Sequence, residues 1–360
     1  MSKINVAGEP FNIRLDGKAD APVLILAHQL GGALAVWDRL APALSAHFRV
    51  LRYDSRGHGA SVANPGPYSI AALARDAIGL LDALKIEKAH WIGLSMGAIV
   101  GQAVMLLAPA RIGRAILANT AAQLGTPDLW NARIGAVRAG GGAGMAGATE
   151  ERWFTPAFRQ AEPAAVQAVM DDFRATPIEG YASACGALRD ADLREAVRSI
   201  RHETLVIVGA RDPSAPPALA AYVASVIEGA RLVTLETSHI SPVEDAEGFL
   251  EAALEFLTAP EHDARAGLAA GRTAPRRKSL QRLLTGRAPA KKAPGKKAVA
   301  KKAPAKKALA KKSAAKKTAP KKSAANKTAS AKKGTKQPGE TRRKFARGAP
   351  RTVRASKDKR

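Results

Sequence analysis

Ala89 to Leu107 reads as one unit: an apolar strand through Trp91 and Ile92, the tight sequence Gly93-Leu94-Ser95-Met96-Gly97, and a helix-period run from Met96 to Leu107. A chain that turns from strand into helix within five residues leaves little room beside its central side chain, so small residues flank it. Such a turn lifts a serine hydroxyl above the end of a sheet and sets it at a helix N-terminus, where developing negative charge is favoured. On its own the pentapeptide also fits an ordinary strand-to-helix turn with a glycine-flanked serine. The surrounding pattern decides between the two.

That pattern repeats the same alternation. Pro22 to Ala27, Phe48 to Tyr53, Ala89 to Leu94 and Gly113 to Leu117 are short apolar runs, and helix-period segments lie at Ser69 to Leu84 and Met96 to Leu107. Continuous apolar strands separated by helices predict an α/β fold with a mostly parallel sheet covered on both faces. From Asn119 to Ile200 strand signals vanish, Gly140-Gly141-Gly142 interrupts, and amphipathic helices dominate. The alternation resumes with Thr204 to Val208 and Arg231 to Glu236, followed by a helix from Pro242 to Leu257. The expected organisation is a core of residues 1–118 and 201–260 with a helical cap, residues 119–200, inserted between its halves. A cap so placed lies over the C-terminal ends of the strands, where sheets of this class bind ligands.

Charge divides the chain a second time. The whole sequence holds 57 Lys+Arg against 31 Asp+Glu, a net of +26. Residues 261–360 hold 34 of the basic and 4 of the acidic groups, a net of +30, which leaves 23 against 27, a net of −4, for the first 260 residues. Lys-Lys pairs recur at 291, 296, 301, 306, 311, 316 and 321, with Ala, Pro, Ser and Thr between them. Sequence of this kind buries too little apolar surface to offset its ordering entropy, so residues 261–360 are expected to be disordered when free. The single cysteine, Cys185, excludes an intrachain disulfide and reads as a packed small hydrophobe. Met-Ser-Lys-Ile-Asn at the start has no basic region followed by an apolar run, and no apolar stretch approaches the roughly 18 residues of a membrane helix. A cytoplasmic protein with no membrane partner is expected.

A nucleophilic serine needs a base, and the base needs an orienting acid; in sheets of this kind they follow in the order serine, acid, histidine. Of seven histidines only His202, His239 and His262 follow Ser95. His202 precedes a strand and His262 sits at the edge of the tail, whereas His239 lies in the loop before the final helix and is the expected base. Asp212, in Gly209-Ala210-Arg211-Asp212-Pro213, directly follows a strand and is the expected acid, the alternative being a turn or capping aspartate. His28-Gln29-Leu30-Gly31-Gly32 follows the strand ending at Ala27. From there the backbone N–H of Leu30, with that of Met96, is expected to converge on the carbonyl oxygen of a bound ester. His28 reads as fixing that loop, and Tyr53-Asp54-Ser55-Arg56-Gly57-His58-Gly59 as a structural turn without a catalytic part.

With these residues placed, residues 10–257 resemble the bacterial 3-oxoadipate enol-lactone hydrolases of the α/β-hydrolase family. The likeness is carried by Leu51 to Gly59, Gly93 to Gly97 and Asn119-Thr120-Ala121-Ala122. It extends to Glu151-Arg152-Trp153-Phe154-Thr155-Pro156, Cys185 to Asp190, Gly209 to Pro217 and His239 to Glu244. Gln29 stands where generic members of the fold have glycine, a glycine that these lactonases also lack. Departures are Ala184-Cys185 where the family commonly shows a Cys-Cys pair, and Pro242 where it shows Asn. The resemblance implies hydrolysis of the enol-lactone to 3-oxoadipate through an acyl-enzyme, in aromatic catabolism, with no metal or organic cofactor. The substrate's free carboxylate makes Arg133 and Arg189 candidates to pair with it and Trp130 and Trp153 candidate apolar walls, the alternative for each being cap packing. The triad does not separate this activity from that of another esterase, lactonase or carbon–carbon bond hydrolase.

The tail resembles the Lys-Ala-Pro tails of linker histones and some bacterial nucleoid proteins. It is expected to bind DNA, RNA or another polyanion by counterion release, without reading base sequence. Its one aromatic residue, Phe345, leaves little for base stacking. A nucleic-acid-associating, nucleoid-bound protein with an accessory hydrolase body is the second reading; an unselected solubilising extension is the plainer account of the tail.

Overall fold

The structure is a computed structural model describing residues 2–260. The basic tail, and with it the expectation of disorder, lies outside the described residues. Eight strands form one sheet: β1 (Ser2–Val6), β2 (Glu9–Asp16), β3 (Val23–Ala27), β4 (Arg49–Tyr53), β5 (Ala89–Leu94), β6 (Ile112–Ala118), β7 (Thr204–Gly209) and β8 (Arg231–Leu235). Their spatial order is β1-β2-β4-β3-β5-β6-β7-β8. All neighbours from β4 to β8 are parallel, and β1 and β2 join antiparallel at one edge. Every residue of β7, and all but His90 in β5, is buried. A strand buried at successive positions is covered on both faces, as the continuous apolar runs require.

The β1–β2 hairpin is not evident in the sequence. Glu9, Asn12, Arg14 and Asp16 break up its apolar positions, and β1 is mostly exposed. An edge hairpin wetted on one side shows only weak alternation, whereas the central strands show unbroken apolar runs.

Among the described residues, the helices of the first half are α1 (Ala41–Leu44), α2 (Ile70–Ala83) and α3 (Met96–Leu107). Ser69 caps α2 by accepting the Ala72 N–H at 3.1 Å, and Ile70, Leu73, Ala74, Ala77, Leu80 and Leu81 form its buried face. α3 packs on β5 and β6. Between β6 and β7 come α4 (Pro127–Trp153), α5 (Pro156–Ala161), α6 (Pro163–Ala175) and α7 (Ile178–Arg189). α8 (Pro217–Val226) precedes β8, and α9 (Ser241–Glu244) and α10 (Ala246–Thr258) follow it. The sequence pattern predicts a continuous helix over 242–257, but Asp245 (φ −134°, ψ 72°) breaks it and caps α10 through a 2.9 Å bond from the Gly248 N–H. The break frees Glu244 for other partners.

Gly140-Gly141-Gly142 reads in the sequence as an interruption. The structure makes it a bend inside α4: Gly141 sits at φ 61°, ψ −169°, where only glycine is at ease. Gly142 has a different reason. A Cβ there would lie 2.9 Å from the Phe173 carbonyl oxygen of α6, so glycine lets the two backbones approach. α4 packs on α7 and α6, and Phe173 and Tyr181, ring against ring, join the insertion to the same buried core as the sheet.

Parallel register sets the level of the site. Ala27 pairs with Gly93, Leu94 with Ala118, and Ala118 with Ile207. The residues just beyond these ends are the Leu30 loop, Ser95, Asn119 and, after β7, Asp212. One rim of the sheet therefore collects every core residue of the expected site.

Candidate active site

Ser95 occupies the turn between β5 and α3 at φ 52°, ψ −112°, a region costly for any non-glycine residue. The surroundings hold it there. Its N–H donates to the Ala118 carbonyl at 2.8 Å, and the Thr120 hydroxyl donates to its carbonyl at 3.0 Å. A Cβ on Gly93 would lie 2.4 Å from the Gly97 carbonyl oxygen, and one on Gly97 would lie 2.2 Å from that of Ala27. Both flanking glycines are therefore steric requirements of this turn. Beneath it Trp91 is fully buried and donates its indole N–H to the Gly97 carbonyl at 3.2 Å.

The Ser95 hydroxyl lies 3.0 Å from His239 Nε2, and His239 Nδ1 lies 2.7 Å from Asp212 Oδ2. All three residues are buried. With the ring proton on Nδ1, the histidine donates to the carboxylate and accepts from the hydroxyl. The second carboxylate oxygen, Oδ1, accepts the backbone N–H groups of Ser214 and Ala215 at 2.8 and 2.9 Å. Asn119 Nδ2 completes the shell with bonds of 3.1 Å to Asp212 Oδ2 and 3.0 Å to the Ser238 carbonyl. Asn119 is itself at φ 47°, which asparagine tolerates better than most residues, and the Ser241 hydroxyl fixes its amide by donating to Oδ1 at 2.5 Å.

The helical insertion grips the histidine loop directly. The Trp153 carbonyl at the end of α4 accepts the N–H groups of His239 and Ile240 at 3.1 and 3.2 Å. Glu244 accepts the Ser238 N–H at 2.8 Å with one oxygen, and the Thr155 N–H and hydroxyl at 3.0 and 2.5 Å with the other.

Met96 opens α3, so its N–H has no acceptor within the helix. Leu30 lies in the loop after β3. That loop is pinned by two buried histidines. His58 Nε2 accepts the Gly31 N–H at 3.0 Å while Nδ1 meets the Arg56 carbonyl, and His28 Nε2 accepts the Ser55 N–H at 2.9 Å while Nδ1 meets the Gln29 carbonyl. Each ring must stay neutral to accept with one nitrogen and donate with the other. Burial pushes His58 down to about 3 and also lowers His28. Asp54 accepts the Leu34 N–H at 2.8 Å and the Ala60 N–H at 2.9 Å, a role in holding loops.

Ser95 and His239 open into a cavity of about 210 Å³ whose walls include Leu30, Trp130, Arg133, Arg152, Trp153 and Tyr181. Trp130, Arg133 and Trp153, read from the sequence as candidate substrate contacts, are brought together here. Arg189 is not. It ends α7 pointing to Asp190 and Asn131, with bonds of 2.8–2.9 Å, and does not line the cavity. Arg152 lines it instead, from the segment Glu151 to Pro156 that carries the family likeness but in which the sequence singles out only Trp153. Burial and the nearby Arg133 both disfavour the charge on Arg152. Burial pushes the Cys185 thiol up to about 12 and raises the Tyr181 hydroxyl as well, so neither is poised as a nucleophile.

A serine in a strained strand–helix turn, hydrogen-bonded through histidine to a carboxylate on the rim of a doubly covered sheet, is the arrangement of one large enzyme class. The sequence profile described as alpha/beta hydrolase fold matches residues 22–246, and the chain belongs to that family as a hydrolase. More particularly, it is 40% identical over 239 residues to 3-oxoadipate enol-lactonase 2 of Acinetobacter baylyi, a match covering 66% of this chain and 90% of that protein. It is 34% identical to 3-oxoadipate enol-lactonase 1 of the same organism, covering 69% and 92%. The crystal structure of the enol-lactonase from Burkholderia xenovorans is similar at a TM-score of 0.71 and 43% identity, covering 71% of this chain and all of that one. Among the described residues no helix is long and apolar enough to cross a membrane.

Proposed function

We propose that this chain hydrolyses 3-oxoadipate enol-lactone to 3-oxoadipate in the β-ketoadipate branch of aromatic catabolism. Ser95, His239 and Asp212 act as the triad, and residues 119–200 act as the cap. The observation that carries the reading is the hydrogen-bonded line Ser95–His239–Asp212 opening into a small cavity with apolar and cationic walls. The likeness to two enol-lactonases over most of their length supports the choice of substrate.

The chemistry follows from the placement. Ser95 Oγ attacks the lactone carbonyl carbon while His239 Nε2 takes the hydroxyl proton. Asp212 holds the ring in the tautomer that makes this possible and stabilises the imidazolium that forms. The Leu30 and Met96 N–H groups receive the developing oxyanion, at about 3 kcal/mol of transition-state stabilisation each. Collapse of the tetrahedral intermediate breaks the ring C–O bond. The departing enolate takes the proton from His239 and becomes the ketone, leaving a 3-oxoadipyl ester on Ser95. Water, deprotonated by His239, attacks that ester and frees the acid. The test is a hydrolysis assay comparing the enol-lactone with simple aryl esters and related lactones. Preference for the enol-lactone supports the reading; preference for simple esters overturns it in favour of a general esterase.

The tail supplies a second, separable activity in this account: residues 261–360 bind duplex nucleic acid without sequence preference. Seven Lys-Lys pairs at a five-residue interval support this. Binding to duplex DNA should weaken steeply with salt, as counterion release requires, and vanish when residues 261–360 are deleted. Unchanged binding after deletion contradicts it.

A further inference from the structure

The two ends of the sheet differ in charge as well as in chemistry. The parallel strands start at the end opposite Ser95. β5 runs from Ala89 to Leu94, so its first residue lies about 17 Å from the rim at roughly 3.3 Å per residue. Around these strand starts stand four cations: Lys18 before β3, Arg49 opening β4, and Lys85 and Lys88 before β5. Lys18, Lys85 and Lys88 are exposed and Arg49 is partly so. None of the four forms an ion pair among the described residues, whereas Arg111, Arg114 and Arg201 beside them meet Asp82, Glu203 and Glu228. Asp20 and Glu87 are the carboxylates here without such a partner among the described residues. The unpaired charge at this end is therefore positive, although the first 260 residues hold 23 Lys+Arg against 27 Asp+Glu.

Register puts the four side by side. Arg49 donates its N–H to the Pro22 carbonyl at 2.9 Å, and Gly17 lies so close to Phe48 that a Cβ on it would run into the Phe48 carbonyl oxygen. Lys18 and Arg49 are thus neighbours. Lys88 lies over the start of β6, where a Cβ on Gly113 would be 3.6 Å from its Cε. β4, β3, β5 and β6 are consecutive in the sheet, so at about 4.8 Å per step the row of cations is about 14 Å wide. The described chain also ends here. Arg114, buried near the start of β6, donates to the carbonyls of Leu257, Ala259 and Pro260 at 2.6–2.9 Å. The end of α10 is thereby held at the strand starts, and the sequence runs on into Arg265, Arg272, Arg276, Arg277 and Lys278.

We propose that this end of the sheet is a second nucleic-acid surface, on which Lys18, Arg49, Lys85 and Lys88 meet phosphates of a duplex held by residues 261–360. The proposal rests on the reading of the tail given above. Four cations on a body of net negative charge are too few to hold a duplex alone. Once the tail has bound, the same face meets phosphate at a high effective concentration, and each contact releases condensed counterions. Contacts of this kind position the protein and carry no base sequence information. A duplex on this face leaves the rim that carries Ser95 uncovered.

The test measures binding of the full-length chain to a fluorescent DNA duplex of about 30 base pairs, from about 50 to 200 mM salt. The readout is the slope of log K against log salt concentration. The fourfold variant Lys18→Gln, Arg49→Gln, Lys85→Gln and Lys88→Gln should make the slope shallower by about 3 and weaken binding about 10-fold or more. A control set, Lys3→Gln, Arg39→Gln, Arg138→Gln and Arg174→Gln, removes the same charge away from this face and should leave the slope as it is. Should the fourfold variant fail to fold, Lys85→Gln with Lys88→Gln, both exposed, carries the test with a slope change of about 2. Equal slopes in the intact and variant chains, or an equal loss in the control set, overturn the surface and leave the tail reading standing. Binding that survives deletion of residues 261–360 but is lost in the fourfold variant fails the tail reading and leaves the surface standing. No binding by the intact chain fails both.

Discussion

The sheet rim and the helical insertion treat their polar groups in opposite ways. On the rim the groups that hold Asp212 and the two loop histidines are satisfied, although the Gln29 amide of the Leu30 loop and the Thr237 hydroxyl are buried without a hydrogen-bond partner among the described residues. Asp212 accepts from His239, Asn119, Ser214 and Ala215, and His28 and His58 use both ring nitrogens. In the insertion, Arg133 and Arg152 line the cavity, and neither forms an ion pair among the described residues. A saturated network holds reacting groups in one geometry, which chemistry requires, whereas an unsaturated one keeps binding capacity for a molecule yet to arrive. The proposed division puts bond-making on the rim and substrate choice in the insertion, and it separates kcat from KM.

Changes on the rim should therefore appear in kcat. Asp212→Asn keeps the shape but presents the wrong hydrogen-bonding pattern to His239; steady-state kinetics should show kcat down by about 10⁴ with KM little altered. Asn119→Ala removes one of four donors to the same carboxylate and the anchor of the Ser238 carbonyl. It should lower kcat by about 10-fold, the effect of one buried hydrogen bond to a charged group. A rise in KM alone in either variant breaks the division.

The insertion should show the reverse. Gly141→Ala forces a Cβ into a positive-φ position and costs about 1 kcal/mol of stability, measurable by denaturant midpoint. By disturbing the approach of the two arms it should raise KM for an acidic ester more than it lowers kcat. The smallest effect concerns the loop beneath. His58 is ordinarily protonated near 6.5 but in the folded protein only near 3, because burial disfavours its charge. Below pH 6.5 the unfolded chain takes up a proton that the folded chain refuses, so this residue's contribution is complete above pH 6.5 and lost progressively down to about 3. His58→Gln, which keeps a neutral acceptor, should flatten the fall of Tm over that window.

The same division explains what could be read from the sequence. Central strands and the serine turn were legible because burial on two faces demands unbroken apolar runs and the turn demands glycines at Gly93 and Gly97. His239 and Asp212, which chain order singles out, lie within hydrogen-bonding reach of Ser95 and of each other. The β1–β2 hairpin was not legible because its exposed face dilutes the alternation, and the break at Asp245 was obscured by the apolar positions on either side. In the insertion, which residues line the cavity depends on which side of a helix a side chain faces and on the kink at Gly141, neither of which local sequence displays. Arg189 and Arg152 exchange places for that reason: one is captured by the adjacent Asp190, and the other, embedded among glutamates, turns inward. Asn119 was visible only as part of a similar segment, since its role depends on Asp212 and Ser238, far away in the chain.

The most direct measurement is the turnover of 3-oxoadipate enol-lactone, followed to 3-oxoadipate, by the intact chain and by Ser95→Ala. The account predicts that the intact chain hydrolyses the lactone and that the variant loses about 10⁴-fold or more of kcat while remaining folded. Turnover by Ser95→Ala at the rate of the intact chain would contradict it.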